Sequence, residues 1–197
     1  MSALLIANSA TFAFQLITTS FPKIKTLIIC SHKVLFKRSQ EIADMQALCA
    51  ARGIEITPIH LPQQLKELVV EIQEHAPTAG ALFMPIDSEA FSAMPDIIQM
   101  AQQYGCPVVA SELLAIQYGA DIAFGYPLQS FAAECARQLL HILQYQKRDI
   151  RFAKAVREIH CSSSKQDILL RALSTHKADY HFKIIGCINN EESEQGQ

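Results

Sequence analysis

Short apolar runs alternate with longer helical segments along most of this chain, and this alternation restricts the fold more than any other feature. The runs are mostly apolar and rich in branched residues, and the first is nearly continuous, which is typical of strands that are buried on both faces. They lie at Lys25–Cys30, Ile54–Ile59, Gly80–Pro85, Pro107–Ala110 and Ala120–Gly125. The alternation predicts an α/β fold, with a single doubly wound parallel sheet of five strands in the flavodoxin-like order 2-1-3-4-5.

Apolar residues at helical spacing fill the segments between these runs, and a further amphipathic segment precedes the first strand. The predicted helices lie at about Thr11–Ser20, Leu35–Arg52, Leu65–Glu74, Glu89–Tyr104, Leu113–Tyr118 and Leu128–Tyr145. In the last of these, Phe131, Cys135, Leu139 and Ile142 fall on one stripe. Helices of this kind are expected to cover both faces of the sheet.

The alternation stops after Lys147 and Arg148. The following segment is mixed up to Cys161, Lys165–Leu173 has helical character, and His181–Ile185 is a candidate sixth strand. The sequence therefore predicts three parts: an α/β lobe at 1–156, a C-terminal extension at 157–188 that packs on the lobe or on a partner, and a disordered acidic tail at 189–197.

The charge of the chain excludes one class of partner. Its 197 residues include 17 Lys and Arg against 19 Asp and Glu, a formal net charge of −2. Nucleic acids and anionic lipids require clustered basic residues, so we expect no nucleic-acid partner. At this length a chain buries roughly 70% of its unfolded surface, which is enough core for one domain without metal or disulfide links.

The six cysteines are widely spaced and form none of the close pairs that zinc sites or redox dithiols require. We expect reduced thiols, with Cys30 and Cys106 acting as small core residues, and neither a metal nor a cofactor. The N-terminus lacks the basic segment of a secretory signal, and no apolar run reaches about 18 residues. As written, the chain is predicted to be cytoplasmic.

Polar residues follow the predicted strands at the edge where their carboxyl ends meet, which is where ligands bind in such sheets. The candidates are Ser31 and His32 after the first strand, Asp87 and Ser88 after the third, Ser111 and Glu112 after the fourth, and Tyr126 after the fifth. This set suits hydrogen bonding to a small polar molecule. Capping of the following helices is the alternative role for Ser88 and Ser111.

Several kinds of chemistry lack their sequence signature at these strand ends. The segment Cys30–Leu35 contains no glycine, so a phosphate-binding turn for a nucleotide cofactor is disfavoured. A receiver domain would need an acidic pair after the first strand, and a hydrolase would need a Gly-x-Ser-x-Gly elbow. An enzyme that uses His32 and Asp87 as an acid–base pair across neighbouring strands remains the alternative to a binding domain.

Four segments together resemble a known family. They are Pro22-Lys-Ile-Lys-Thr-Leu-Ile-Ile29, Gly80-Ala-Leu-Phe-Met-Pro-Ile-Asp87, Gly105-Cys-Pro-Val-Val-Ala-Ser-Glu112 and Tyr118-Gly-Ala-Asp-Ile-Ala-Phe-Gly-Tyr126. From about Leu4 to Val156 the chain is similar to the second lobe of the ABC transporter substrate-binding proteins of the type 1 periplasmic binding fold. In that family two such lobes close around a ligand, and only one lobe is present here.

The resemblance implies a non-enzymatic domain that binds a small molecule such as an aromatic amino acid or a nucleoside. Carried over by position, Asp87, Ser111, Glu112 and Tyr126 would face the ligand, and an ABC permease would be a partner. The domain would be truncated or reused for sensing, and it would be periplasmic if an upstream segment is missing. A structural or regulatory interaction domain is the remaining alternative.

A single lobe also predicts self-association. Four apolar residues of the C-terminal extension, Ile159, Ile168, Leu169 and Leu173, have no evident partner in a five-stranded lobe. We therefore expect a homo-oligomer that forms through the segment Val156–Leu173 or through the tail.

Overall fold

A computed structural model describes residues 10–61, 65–76, 80–145, 157–162, 166, 169 and 182–187. The strands are β1 (Thr26–His32), β2 (Glu55–Leu61), β3 (Gly80–Met84), β4 (Val108–Ala110), β5 (Ile122–Gly125), β6 (Arg157–Ser162) and β7 (Phe182–Cys187). The helices are α1 (Ala10–Ser20), α2 (Lys33–Arg38), α3 (Gln40–Ala51), α4 (Leu65–His75), α5 (Ser88–Gln103) and α6 (Leu128–Tyr145), with a 3₁₀ helix at Leu113–Tyr118.

One sheet contains all seven strands in the order β2-β1-β3-β4-β5-β6-β7. The first five are parallel, so the predicted fold class and the order 2-1-3-4-5 are confirmed. The predicted number of five strands was too low. Strand β6 joins β5 in antiparallel register, with Gly125 opposite Glu158, and β7 then pairs with β6 in parallel.

The two faces of the sheet carry separate apolar clusters because successive strand residues point to opposite sides. On the first face, α1 and α3 cover residues such as Ile29, Phe83 and Phe124. On the second face, α4, α5 and the 3₁₀ helix cover residues such as Ile28 and Val108. The helices cover both faces of the sheet but not the carboxyl edge of the five parallel strands. Loops and helix N-termini meet at this edge, where ligands bind in sheets of this kind.

The predicted helix Leu35–Arg52 is two helices, α2 and α3, separated at Ser39. The Ser39 side chain accepts a hydrogen bond from the Ile42 amide at 3.3 Å and so caps α3. Its own amide donates to the Leu35 carbonyl at 2.8 Å and closes α2. One serine therefore ends the first helix and starts the second, which apolar spacing alone does not reveal.

Helix α6 has the predicted bounds, but the apolar stripe predicted along it is not buried. Leu139 is exposed, as are Leu140 and Leu143, whereas Cys135 and Ile142 are half-buried. The Phe131 side chain lies outside the described residues. Helix α1 packs against β5 on the first face.

The C-terminal extension is partly buried in the lobe. Ile159 and Leu169 are fully buried in the first-face cluster, so they do not form the free apolar surface that the sequence indicated. Ile168, Leu173 and the tail 189–197 lie outside the described residues. Division of the chain after residue 156 and homo-oligomer formation stay predictions.

Within the described part of the chain, no helix is long and apolar enough to cross a membrane.

Candidate functional site

The carboxyl edge of the parallel strands brings together most of the polar residues that the sequence singled out. Ser31 and His32 are the last two residues of β1 rather than the start of a loop, because β2 extends to Leu61 and pairs with His32. Ser31 is fully buried, and His32 caps α2 by accepting a hydrogen bond from the Val34 amide on Nδ1 at 3.4 Å. These two residues therefore form the β1 side of the edge.

Asp87 links the loop after β3 to the end of β1. Its Oδ2 accepts a hydrogen bond from the His32 backbone amide at 2.5 Å, and its carbonyl accepts from Phe91 in the first turn of α5 at 2.9 Å. Ser88 is the first residue of α5, and its side chain is outside the described residues. The half-buried carboxylate thus holds two neighbouring strand ends in a fixed relation.

Ser111 and Glu112 follow β4 and differ sharply in their surroundings. Glu112 caps the 3₁₀ helix, since its Oε1 accepts from the Leu114 amide at 3.4 Å. Ser111 donates its backbone amide to the Met84 carbonyl at 2.9 Å, and its side chain is 1% exposed. Its Oγ has no hydrogen-bond partner among the described residues, which is costly for a buried hydroxyl. Glu112, and not Ser111, performs the capping role.

Two adjoining cavities open at the ends of β3, β4 and β5. One, of about 290 Å³, is lined by Asp87 and Met84 among others, and the second, of about 540 Å³, is lined by Ser111 and Tyr126. Ile86, Phe91 and Glu112 line both. The described linings of these two cavities do not include Ser31 or His32. Both concave surfaces therefore lie over the ends of β3–β5.

The structure adds residues that the sequence analysis missed. Apolar side chains surround the cavities, and Ile86, Phe91 and Leu128 are 53%, 45% and 80% exposed. His160 of β6 lines the larger cavity, and its Nε2 lies 2.9 Å from Glu158 Oε2. The alternation of polar and apolar residues from Glu158 to Ser162 was the signal that could have placed this pair.

Basic residues gather at the other end of the same edge, beside β1 and β2. The pKa of His60 is lowered by partial burial and further by the positive charges of Lys33 and Lys37 and by His32. The His60 ring also contacts Phe36 edge-on, with ring centroids 5.1 Å apart. Lys33, Lys37 and His60 therefore lie close together at the β1–β2 end of this edge.

The proposed acid–base pair of the enzyme alternative has structural roles. Asp87 accepts from the backbone of His32, and the His32 ring accepts from the backbone of Val34. Among the described residues, no group of three or more His, Cys, Asp or Glu side chains could hold a metal ion.

Replacing Asp87 tests its structural link directly. We expect Asp87→Ala to lower the free energy of unfolding by about 1 to 2 kcal/mol, because the His32 amide loses a charged acceptor in a partly buried position. Asp87→Asn keeps an oxygen acceptor and should lose less than half of that amount. Urea unfolding of the three proteins measures the difference, and an alanine variant as stable as the wild type would contradict the role.

Solved structures with the same fold are longer than this chain. A ligand-free, open substrate binding protein with adhesive properties from Clostridium difficile is 17% identical, with a TM-score of 0.64 over 94% of this chain and 61% of that one. A conserved domain protein from Vibrio cholerae is 16% identical, with a TM-score of 0.66 over 95% and 62%. An ABC domain from Streptococcus pneumonia in complex with L-Trp is 14% identical, with a TM-score of 0.64 over 93% and 64%.

The chain thus spans about three fifths of the length of these three structures, which at such identities show the fold. No curated protein matches it significantly. A family profile described as ABC transporter substrate binding protein matches residues 7–161. Since that match includes well over half of the 197 residues, the chain belongs to the ABC transporter substrate binding protein family.

Proposed function

We propose that this chain is a non-enzymatic domain that binds a small molecule at the carboxyl edge of β3–β5, with Asp87, Ser111, Glu112 and Tyr126 as polar contacts. The observation that carries the proposal is Ser111. Ser111 lines the larger cavity, and its buried hydroxyl lacks a partner among the described residues, so a ligand that reaches the hydroxyl can supply the missing hydrogen bond. Ser31, His32 and Ser88 lie beside this position and would contribute only if the ligand extends towards β1.

The cavity walls indicate the class of ligand. Ile86, Phe91 and Leu128 supply apolar surface, and Phe91 offers a ring for stacking. The carboxylates of Asp87 and Glu112 favour a ligand with amine or hydroxyl donors. An aromatic amino acid has both features, and the L-Trp complex of the similar Streptococcus domain supports this choice. A nucleoside is the second candidate, since it combines a planar base with hydroxyl donors.

One lobe contacts only one side of a ligand, so binding is expected to be weak. We expect a Kd of about 10 μM to 1 mM, equivalent to roughly 4 to 7 kcal/mol. Membership of the family supports an ABC permease as the partner, and reuse of the domain for sensing is the alternative. A permease and an ATPase encoded beside this chain would favour transport, whereas an isolated gene would favour sensing.

Ser111→Ala should change binding and stability in opposite directions. We expect the Kd for L-tryptophan, or for whichever aromatic amino acid or nucleoside binds the wild type, to rise about three- to tenfold through loss of one hydrogen bond. The free energy of unfolding should stay constant or rise by up to about 1 kcal/mol, because an unsatisfied buried hydroxyl is removed. Calorimetric titration and urea unfolding measure the two effects.

Ser31→Ala is the matched control, because Ser31 Oγ is also buried without a partner among the described residues but lines neither cavity. It should leave the Kd unchanged. If Ser31→Ala weakens binding and Ser111→Ala does not, the ligand lies at β1 and the proposed position is wrong. If no amino acid or nucleoside binds the wild type, the interaction-domain alternative is favoured.

A further inference from the structure

One pair of ionisable side chains at the larger cavity has no role in the function proposed above. His160 lines that cavity, and its Nε2 lies 2.9 Å from Glu158 Oε2. Both side chains are partly buried, with exposed fractions of 21% for His160 and 23% for Glu158. Because an ionised carboxylate only accepts hydrogen bonds, Nε2 carries the hydrogen, and the contact restricts the orientation of the imidazole ring.

Strand β6 places this pair on the face of the sheet that the 3₁₀ helix covers. Ile159 points into the first-face cluster, so Glu158 and His160, its neighbours in β6, lie on the second face. In the adjacent strand β5, Ala123 lies opposite His160 and Gly125 lies opposite Glu158. These small residues leave room beside the imidazole ring, and Gly125 itself lines the larger cavity.

His160 is the one described side chain in the cavity linings that can carry a positive charge. The described linings of the two cavities contain the carboxylates of Asp87 and Glu112 but no lysine or arginine. Glu112 and His160 line the same cavity, of about 540 Å³. This cavity therefore offers an acidic group to an amine and a basic group to a carboxylate.

Two further basic residues lie near Glu158 in the sheet. Arg157 precedes Glu158 in β6, and Lys183 of β7 lies opposite Glu158 in parallel register. The side chains of Arg157 and Lys183 are outside the described residues. The uncharged residue Ile185 of β7 lies opposite His160. Lys183 is therefore the alternative cation for a carboxylate bound at this end of the cavity.

We propose that His160, oriented by Glu158, binds the carboxylate of the ligand and makes the site selective for zwitterionic aromatic amino acids. This inference rests on the function proposed above. The protonated imidazole attracts the carboxylate, while the amine of the same ligand lies at Glu112. A nucleoside or an aromatic amine has no carboxylate and does not gain the contact with His160.

Two ligands that differ only at the carboxylate isolate this contact. Calorimetric titration of the full chain at about pH 5.5, where imidazoles in general are protonated, compares L-tryptophan with L-tryptophanamide. We expect the wild type to bind L-tryptophan about tenfold more tightly than the amide. His160→Gln, which keeps a polar side chain, should bind both ligands equally. His160→Arg, which restores a cation, should prefer L-tryptophan again.

His75→Gln is the matched control. His75 Nε2 also contacts a glutamate, at 3.2 Å from Glu71 Oε2, but it lies in α4, and the described linings of the two cavities do not include it. This variant should leave the ratio of the two Kd values unchanged. A partial loss of folded protein affects both ligands alike, so the ratio separates a ligand contact at His160 from a structural role.

Two results would overturn this inference and leave the proposed function in place. One is a wild type that binds L-tryptophanamide or adenosine as tightly as L-tryptophan. The other is a preference for L-tryptophan that Lys183→Gln removes and His160→Gln retains, which would place the carboxylate at Lys183. A wild type that binds none of the three ligands would reject the proposed function and this inference together.

Discussion

Replacing Phe124 by alanine should lower the free energy of unfolding by about 3 to 5 kcal/mol, a large part of the stability of a domain of this size. Phe124 lies in β5, is fully buried, and meets the ring of Phe12 in α1 edge-on, with centroids 5.6 Å apart and planes at 75°. Removal of the ring leaves a cavity beneath α1, which covers this face of the sheet. Urea unfolding of the full chain measures the loss.

Two further variants separate the energy of the contact between the two rings from the energy of burying apolar volume. Phe124→Leu keeps most of the apolar volume and should cost less than half as much as Phe124→Ala. A double-mutant cycle with Phe12→Ala should give a coupling of about 0.5 to 1.5 kcal/mol for the aromatic pair. If Phe124→Ala costs less than about 1 kcal/mol, α1 does not cover this face of the sheet in solution.

Strand order was predictable because the central strands are buried on both faces. A continuous apolar run such as that in β1 cannot form an amphipathic helix or a strand with one polar face. Because crossovers between parallel strands are right-handed, few strand orders then remain possible. The 3₁₀ helix, which ends at Gly119 in the left-handed conformation, was predicted with its exact bounds. Local signals and the global fold agree in this part of the chain.

Strand β6 was not predicted because its sequence alternates polar and apolar residues instead of forming a continuous apolar run. Its side chains alternate, with Ile159 and Cys161 buried on the first face and Glu158 and His160 on the other, as in a strand with one polar face. A search for continuous apolar runs does not detect this pattern. Pairing of β6 with β5 depends on contacts between residues far apart in the sequence, which no local signal specifies.

The carboxyl edge was predictable from strand direction, but which strand ends carry the cavities was not. Ser31 and Ser111 both lie at strand ends and are both buried, and only packing of the 3₁₀ helix and of the Phe91 side chain places a cavity beside Ser111. Asp87 could be predicted to lie near His32 from strand adjacency. That its carboxylate accepts a hydrogen bond from the His32 backbone amide follows from the loop geometry alone.

Two buried thiols in the second-face cluster make the free energy of unfolding depend on pH. Cys30 in β1 is fully buried and Cys106 before β4 is 2% exposed, as expected of small core residues. Burial raises the pKa of Cys106 to about 12, helped by the negative charge of Asp121. Burial raises the pKa of Cys30 still further, helped by Cys106. Both groups therefore stay protonated in the folded state under conditions where an unfolded thiol ionises.

The free energy of unfolding should consequently fall as the pH rises from 8 to 10. An unfolded thiol with a pKa near 8.5 loses its proton in this range while the folded thiols do not, so the unfolded state binds fewer protons and gains stability. At up to 1.4 kcal/mol per pH unit and thiol, the two cysteines together account for a loss of about 4 kcal/mol. Urea unfolding at both pH values measures it, and Cys30→Ala/Cys106→Ala should make the dependence less steep although it lowers stability at pH 8. Cys49, whose pKa burial raises to about 11, still contributes in that variant. An equally steep dependence in that variant would mean that other groups cause the alkaline loss.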